Sequence, residues 1–129
     1  LEQKRIPIST YRLQLNPAFG FDEARRLLAY LSELGIDTVY ASPIFRARPG
    51  STHGYDIVDP NEINPALGTR KALDRLFEAL EKRGMGWIQD ISPNHMAFHQ
   101  DSCMLMDVLR QGKNSIFRDY FDIDWNHPD

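Results

Sequence analysis

Apolar positions along the chain alternate between two spacings. Ile6 to Leu15 (IPISTYRLQL) is rich in β-branched and aromatic residues and alternates in part, which predicts a strand. Asn16, Pro17 and Gly20 mark a turn. From Asp22 the period changes: Ala24, Leu27, Leu28, Leu31 and Leu34 form one helical stripe, with Asp22 as the expected cap and Gly35 as the stop. Asp37 to Ser42 (DTVYAS) predicts a second strand leading into Pro43. Thr69 is placed to cap a second helix with Leu73, Leu76, Phe77 and Leu80 on one face, ending near Arg83 and Gly84. Trp87 to Asp90 is a third strand.

Two segments lack a sustained period. Pro43 to Gly68 carries Pro43, Pro49, Gly50, Gly54, Pro60, Pro65 and Gly68, and it is expected to be one long loop. Loops beyond about 12 to 15 residues in compact domains are functional or disordered, and the aromatic and apolar content here argues for order. After His95, Met104, Leu105, Val108 and Leu109 form a short helical stripe broken by Gly112. An aromatic run of Phe117, Tyr120, Phe121 and Trp125 follows. This reads as an elaborated loop lying across the strand ends.

The order strand, helix, strand, helix, strand predicts an α/β fold with parallel strands and right-handed crossovers. No linker or low-complexity segment divides residues 1–129, so the chain reads as one unit. Its length suits a single domain, yet is about half of the roughly 250 residues of a (β/α)₈ barrel. The start on Leu1 rather than Met, and the end at His127, Pro128 and Asp129 with no element just closed, lead us to expect a piece of a longer protein.

Composition narrows the function classes. The 15 Lys and Arg against 18 Asp and Glu give a formal net charge of −3, mixed along the chain. No basic face is implied, so no nucleic-acid partner is expected. A lone Cys103 excludes an internal disulfide framework and suits a reducing cytoplasm. No apolar run reaches a membrane span, so no membrane partner is expected.

In parallel sheets the chemistry gathers at the C-terminal strand ends. Three places qualify: Tyr11 to Gln14, the Pro43 to Gly68 loop, and Asp90 to His99. Asp90, Asn94 and His95 offer an acceptor, an amide and an imidazole, a set suited to holding several hydroxyls. The competing reading is a strand-capping acid and a satisfied loop histidine. His53, Gly54, Tyr55 and Asp56 place an aromatic ring beside an acid, which suits a sugar. The competing reading is a turn at Gly54, a packed Tyr55, and Asp56 paired with an arginine.

Other patterns fail. His95 and His99 lack the glutamate of a zinc-protease helix, since Met96 follows His95. Gly84 and Gly86 lack the third glycine of a dinucleotide loop. Met104 and Met106 read as packing.

The segment DISPNH, Asp90 to His95, resembles the first signature region of the α-amylase family of glycoside hydrolases and transglycosylases. GYD, Gly54 to Asp56, resembles that family's active-site loop after the second strand. STYRLQL, LSELGIDTVYASPIF, STHGYDIVDPNEINPALGT, and MLMDVLRQG followed by YFDIDWNHP are similar to the trehalose-forming transglycosylases of the family. The resemblance covers nearly the whole chain.

It implies the first three strands and two helices of a (β/α)₈ barrel, with the long loop after strand three. It further implies an isomerase of the complete protein, acting on a maltooligosaccharide substrate. Such an enzyme converts the reducing-end α-1,4 link into an α,α-1,1 link by a retaining mechanism, in trehalose biosynthesis. Substrate-binding residues would be Tyr55, which stacks under the sugar, His95, which bonds a hydroxyl, and Asp56, Asp90, Asn94 and His53 around them.

Asn94 matches a calcium-binding position of many amylases, but this branch is not expected to need calcium, so no metal and no cofactor are expected. Gln89 and Ser92 depart from the aliphatic residue and the valine common in amylases. The catalytic carboxylates come from strands four, five and seven in the family, and Asp107, Asp119, Asp122 and Asp124 match none of those motifs. The chain is therefore expected to carry no catalytic residue and to be inactive alone. Three barrel strands by themselves leave edges unpaired, so an isolated piece is expected to dimerise, swap or remain partly molten. The alternatives are a non-catalytic carbohydrate-binding or assembly domain, and another glucan hydrolase of the family.

Overall fold

The computed structural model describes residues 6–127. The readings made on the first residue, on Pro128 and on Asp129 lie outside the described residues.

Three short strands form a parallel sheet: β1 (Thr10–Leu13), β2 (Thr38–Ala41) and β5 (Gly86–Gln89), in the order β1-β2-β5. Tyr11, Val39 and Trp87 are aligned across it, as are Arg12, Tyr40 and Ile88. The pleat sends the first set to one face and the second to the other. On the first face, helices α1 (Phe21–Glu33) and α2 (Arg70–Lys82) close the core. Leu13, Leu15, Val39 and Ala41 pack there with Leu28, Leu31, Leu73, Leu76 and Leu80. Burying a leucine such as Leu76 contributes about 1.5–3 kcal/mol. The second face carries Arg12, Tyr40 and a partly exposed Ile88. Among the described residues β1 and β5 each have one strand neighbour only.

The expected alternation of strands and helices is present, with local corrections. The first strand is shorter than Ile6 to Leu15, because only Thr10–Leu13 meets β2. Ile6 and Ile8 remain exposed. Asp37 instead accepts the Ile8 and Ser9 N–H groups, tethering the approach to the strand.

Asp22 does not cap α1. Gly20 does, and the Glu23 carboxylate accepts its N–H at 3.1 Å. A Cβ on Gly20 would stand 2.3 Å from the Leu67 carbonyl oxygen, so the cap position has no room for a side chain. Asp22 sits in the first helical turn and reaches Arg75 of α2 at 3.4 Å. Leu34 falls at the exposed C-terminal cap rather than on the buried stripe. Thr69 does cap α2, its hydroxyl accepting the Ala72 N–H at 3.1 Å.

The expected structureless loop contains a hairpin. β3 (Phe45–Ala47) pairs antiparallel with β4 (Ile57–Ile63), followed by a 3₁₀ turn at Pro65–Leu67. The register shifts on both sides of Arg46, and Pro60 lies within the longer strand. These irregularities erase the alternation that would have announced the strands. After β5, the Ala97 N–H bonds to the Ile57 carbonyl at 2.8 Å, tying the following segment to the hairpin. Helix α3 (Cys103–Gln111) is then capped by the buried Ser102 and ends at Gly112. No helix among the described residues is long and apolar enough to cross a membrane.

Candidate functional site at the strand ends

The three parallel strands deliver their last residues to one edge, and Ser42 joins them. Its N–H donates to the Leu13 carbonyl, its hydroxyl accepts the Leu15 N–H at 2.8 Å, and its carbonyl accepts Gln89 Nε2 at 3.0 Å. Gln89 Oε1 also accepts the Trp87 indole N–H at 3.2 Å. The polar Gln89 is thus satisfied where an aliphatic residue is usual, and it braces β5 against β2.

Above this joint the structure brings Arg12, Tyr55 and Asp90 together from three elements distant in sequence. Asp90 Oδ2 accepts Arg12 Nη1 at 3.0 Å and the Tyr55 hydroxyl at 2.5 Å. Arg12 Nη2 donates to the same Tyr55 oxygen at 2.8 Å and to Gln14 Oε1 at 3.3 Å. The Arg12 guanidinium lies 4.7 Å from the centre of the Tyr40 ring. The Tyr55 bond, opposed by burial and reinforced by Arg12, holds the Asp90 carboxyl below the usual carboxylate range. The bond to Asp90 in turn raises the Tyr55 phenol. Asp90 therefore stays ionised and accepts; it is not placed to donate a proton near neutrality.

Gly54 sets the approach of Tyr55. Its φ of +81° suits glycine, and a Cβ there would lie 3.0 Å from the Pro43 carbonyl oxygen. His53 stacks on Tyr55 with ring centres 5.8 Å apart and planes 21° from parallel, and its Nδ1 accepts the Tyr55 N–H at 3.0 Å. Asp56 faces the other way. It takes Arg48 Nε at 2.6 Å and the Ser51 hydroxyl, with His53 Nε2 at 3.8 Å. Burial works against its ionisation, but Ser51 and Arg48 outweigh it and lower the Asp56 carboxyl. Asp56 thus braces its own loop, in agreement with the arginine-paired reading of that residue.

Asn94 and His95 are not hydrogen-bonded to the Arg12, Tyr55 and Asp90 cluster. His95 Nδ1 bonds Asn94 Oδ1 at 3.0 Å, and both side chains are exposed. They line a cleft of about 330 Å³ with Ser92, Tyr120, Phe121 and Asp122, near the lower limit of small-molecule sites. No group of three His, Cys, Asp or Glu side chains suited to a metal ion occurs among the described residues. Asp107 belongs to neither region. It accepts the Ser115 hydroxyl at 2.5 Å and Gln111 Nε2 at 2.9 Å, and so fastens the end of α3.

Sequence reasoning named Tyr55 and Asp90 but not Arg12, which joins them, although Arg12 falls within the strand end singled out as a place for chemistry. The arrangement offers an aromatic face, a fixed carboxylate and an exposed amide and imidazole along one edge.

Comparison with known proteins places the chain in a family. The family described as alpha amylase, catalytic domain, matches residues 25–129. A putative maltooligosyl trehalose synthase of Mycobacterium tuberculosis (strain ATCC 25618 / H37Rv) is 43% identical over 129 residues, covering 95% of this chain and 17% of that protein. The solved maltooligosyltrehalose synthase from Arthrobacter ramosus superposes with a TM-score of 0.88 at 43% identity, over 92% of this chain and 16% of that one. The alpha-amylase from H. orenii reaches a TM-score of 0.78 at 28% identity, over 94% of this chain and 27% of that one. The chain thus spans about a sixth of the first two proteins.

Proposed function

The chain belongs to the α-amylase family, and on that premise we propose that the complete protein is a (1→4)-α-D-glucan 1-α-D-glucosylmutase of trehalose biosynthesis. It takes a maltooligosaccharide and converts the reducing-end α-1,4 link to α,α-1,1, giving a maltooligosyl trehalose. The observation that carries this reading is the higher identity to the trehalose-forming relative than to the amylase, at comparable coverage of the chain.

The chemistry is a retaining transfer. A carboxylate attacks the anomeric carbon while a carboxylic acid protonates the leaving oxygen. The released glucose then attacks the glycosyl-enzyme through its own anomeric hydroxyl, and the acid, now a base, takes that proton. These carboxylates lie outside the 129 residues, whose part is to bind and orient. The chain forms the first three strands and two helices of the (β/α)₈ barrel and the segment after strand three. Tyr55 stacks under the sugar at the cleavage point. His95 and Asn94 bond its hydroxyls, while Asp90, Asp56 and His53 hold their neighbours. We assign no metal and no cofactor, and a cytoplasmic location.

The test is incubation of the complete protein with maltopentaose. Reducing ends should disappear without matching release of glucose, and an α,α-1,1 linkage should appear by NMR. The 129-residue chain alone should yield no product. A rise in reducing ends would show a hydrolase instead, and turnover by the 129-residue chain would refute the division of roles.

A further inference from the structure

Arg12 is partly exposed, yet its guanidinium has four side-chain partners. Asp90, the Tyr55 hydroxyl and Gln14 accept its Nη hydrogens, and its Cζ lies over the Tyr40 ring. The Tyr55 oxygen accepts from a cation and donates to a carboxylate, so its position is pinned from two directions. Pinning that oxygen fixes the direction of the ring. The His53 imidazole is stacked against one face, with ring centres 5.8 Å apart. Among the described residues no second aromatic ring covers the opposite face.

We propose that Arg12 is a positioning residue for saccharide binding: by pinning the Tyr55 phenol oxygen and the Asp90 carboxylate, it presents the face of Tyr55 turned away from His53 as a preset stacking platform for a pyranose ring. The inference rests on the reading that this mouth takes an α-glucan. A ring already ordered before binding does not lose its rotamer freedom on contact with the sugar. The role suits arginine and not lysine. Only the planar fork reaches several acceptors while its Cζ stays over the Tyr40 ring, whereas an ammonium supplies one point charge.

The experiment uses the complete protein with Arg12→Met, Arg12→Lys, Tyr55→Phe and the Arg12→Met/Tyr55→Phe pair. The crystal structure of Arg12→Met should show the Tyr55 ring displaced in an otherwise unchanged fold. Its kcat/KM for maltopentaose should fall about tenfold, chiefly through KM, and Arg12→Lys should restore little. The double variant should be scarcely worse than either single one, because each substitution already breaks the Arg12 contact with the Tyr55 oxygen.

Should Arg12→Met fail to fold, Arg12→Lys keeps the charge and carries the same comparison. An unmoved Tyr55 ring, or single effects that multiply in the double variant, would overturn the inference. A wild-type protein that neither binds nor converts maltooligosaccharides would overturn the glucan reading and with it the platform's ligand. The position of Tyr55 in the variant would still decide what Arg12 holds.

Discussion

The two flanks of the strand-end mouth are built in opposite ways. At the β1 side, Arg12, Tyr55 and Asp90 satisfy one another, and His53 and Gln14 close around them. Along the segment after β5, Asn94 and His95 bond each other and otherwise face an open cleft. The first flank has settled its geometry before any ligand arrives. The second keeps its donors and acceptors available. A sugar needs both, because its ring faces demand a surface of fixed orientation and its hydroxyls demand partners that are not already spent.

The contrast is sharpest at Tyr55. Tyr55→Ala in the complete protein removes the ring and also leaves Arg12 and Asp90 without their shared hydroxyl, so kcat/KM for maltopentaose should fall about a hundredfold. A loss confined to severalfold would mean that the preset flank is scaffold only.

Asp90→Asn comes next. The folded Asp90 carboxyl is held below its ordinary value by Tyr55 and Arg12. Its contribution to stability is therefore full above the unfolded carboxylate value of about 3.9 and is lost as pH falls through the depressed value. The substitution should cost about 1–3 kcal/mol near neutrality, and the gap should close in acid. Urea midpoints of wild type and variant from neutral pH downward measure this; parallel curves would show that Asp90 carries no such linkage.

His95→Ala should have the smallest effect. An exposed side chain bonded to its sequence neighbour leaves stability within about 0.5 kcal/mol. The kcat/KM should nevertheless fall about tenfold, since a hydroxyl contact is lost. An unchanged rate would remove His95 from the site, and a lowered melting temperature would show that the second flank is as braced as the first.

The sequence discloses features written in local periodicity and hides those that depend on distant partners. The α2 stripe and its Thr69 cap are legible because the cap bond spans neighbouring residues. Asp22 misleads because the cap position of α1 is decided by the Leu67 carbonyl, remote in sequence, which leaves room only for Gly20. The β3–β4 hairpin stays hidden behind its register shifts and Pro60. At the site, a glycine, a tyrosine and an aspartate in succession mark the loop, and Asp90 marks the strand end. That Asp56 turns to Arg48 while Asp90 takes Tyr55 follows only from how the hairpin returns over the sheet. Arg12 has no local signature as a partner of Asp90, because the pair is separated by 78 positions.

Ser42 gives the mouth a property of timescale. Its side chain is fully buried, and the Leu15 amide bonds to its hydroxyl rather than to a strand neighbour. The residue that holds this amide is itself bonded to β1 through its N–H and to Gln89 of β5 through its carbonyl. Hydrogen exchange at Leu15 should accordingly follow the cooperative opening of all three strand ends. The rim would then behave as one slow unit, with faster motion left to the residues that overhang it.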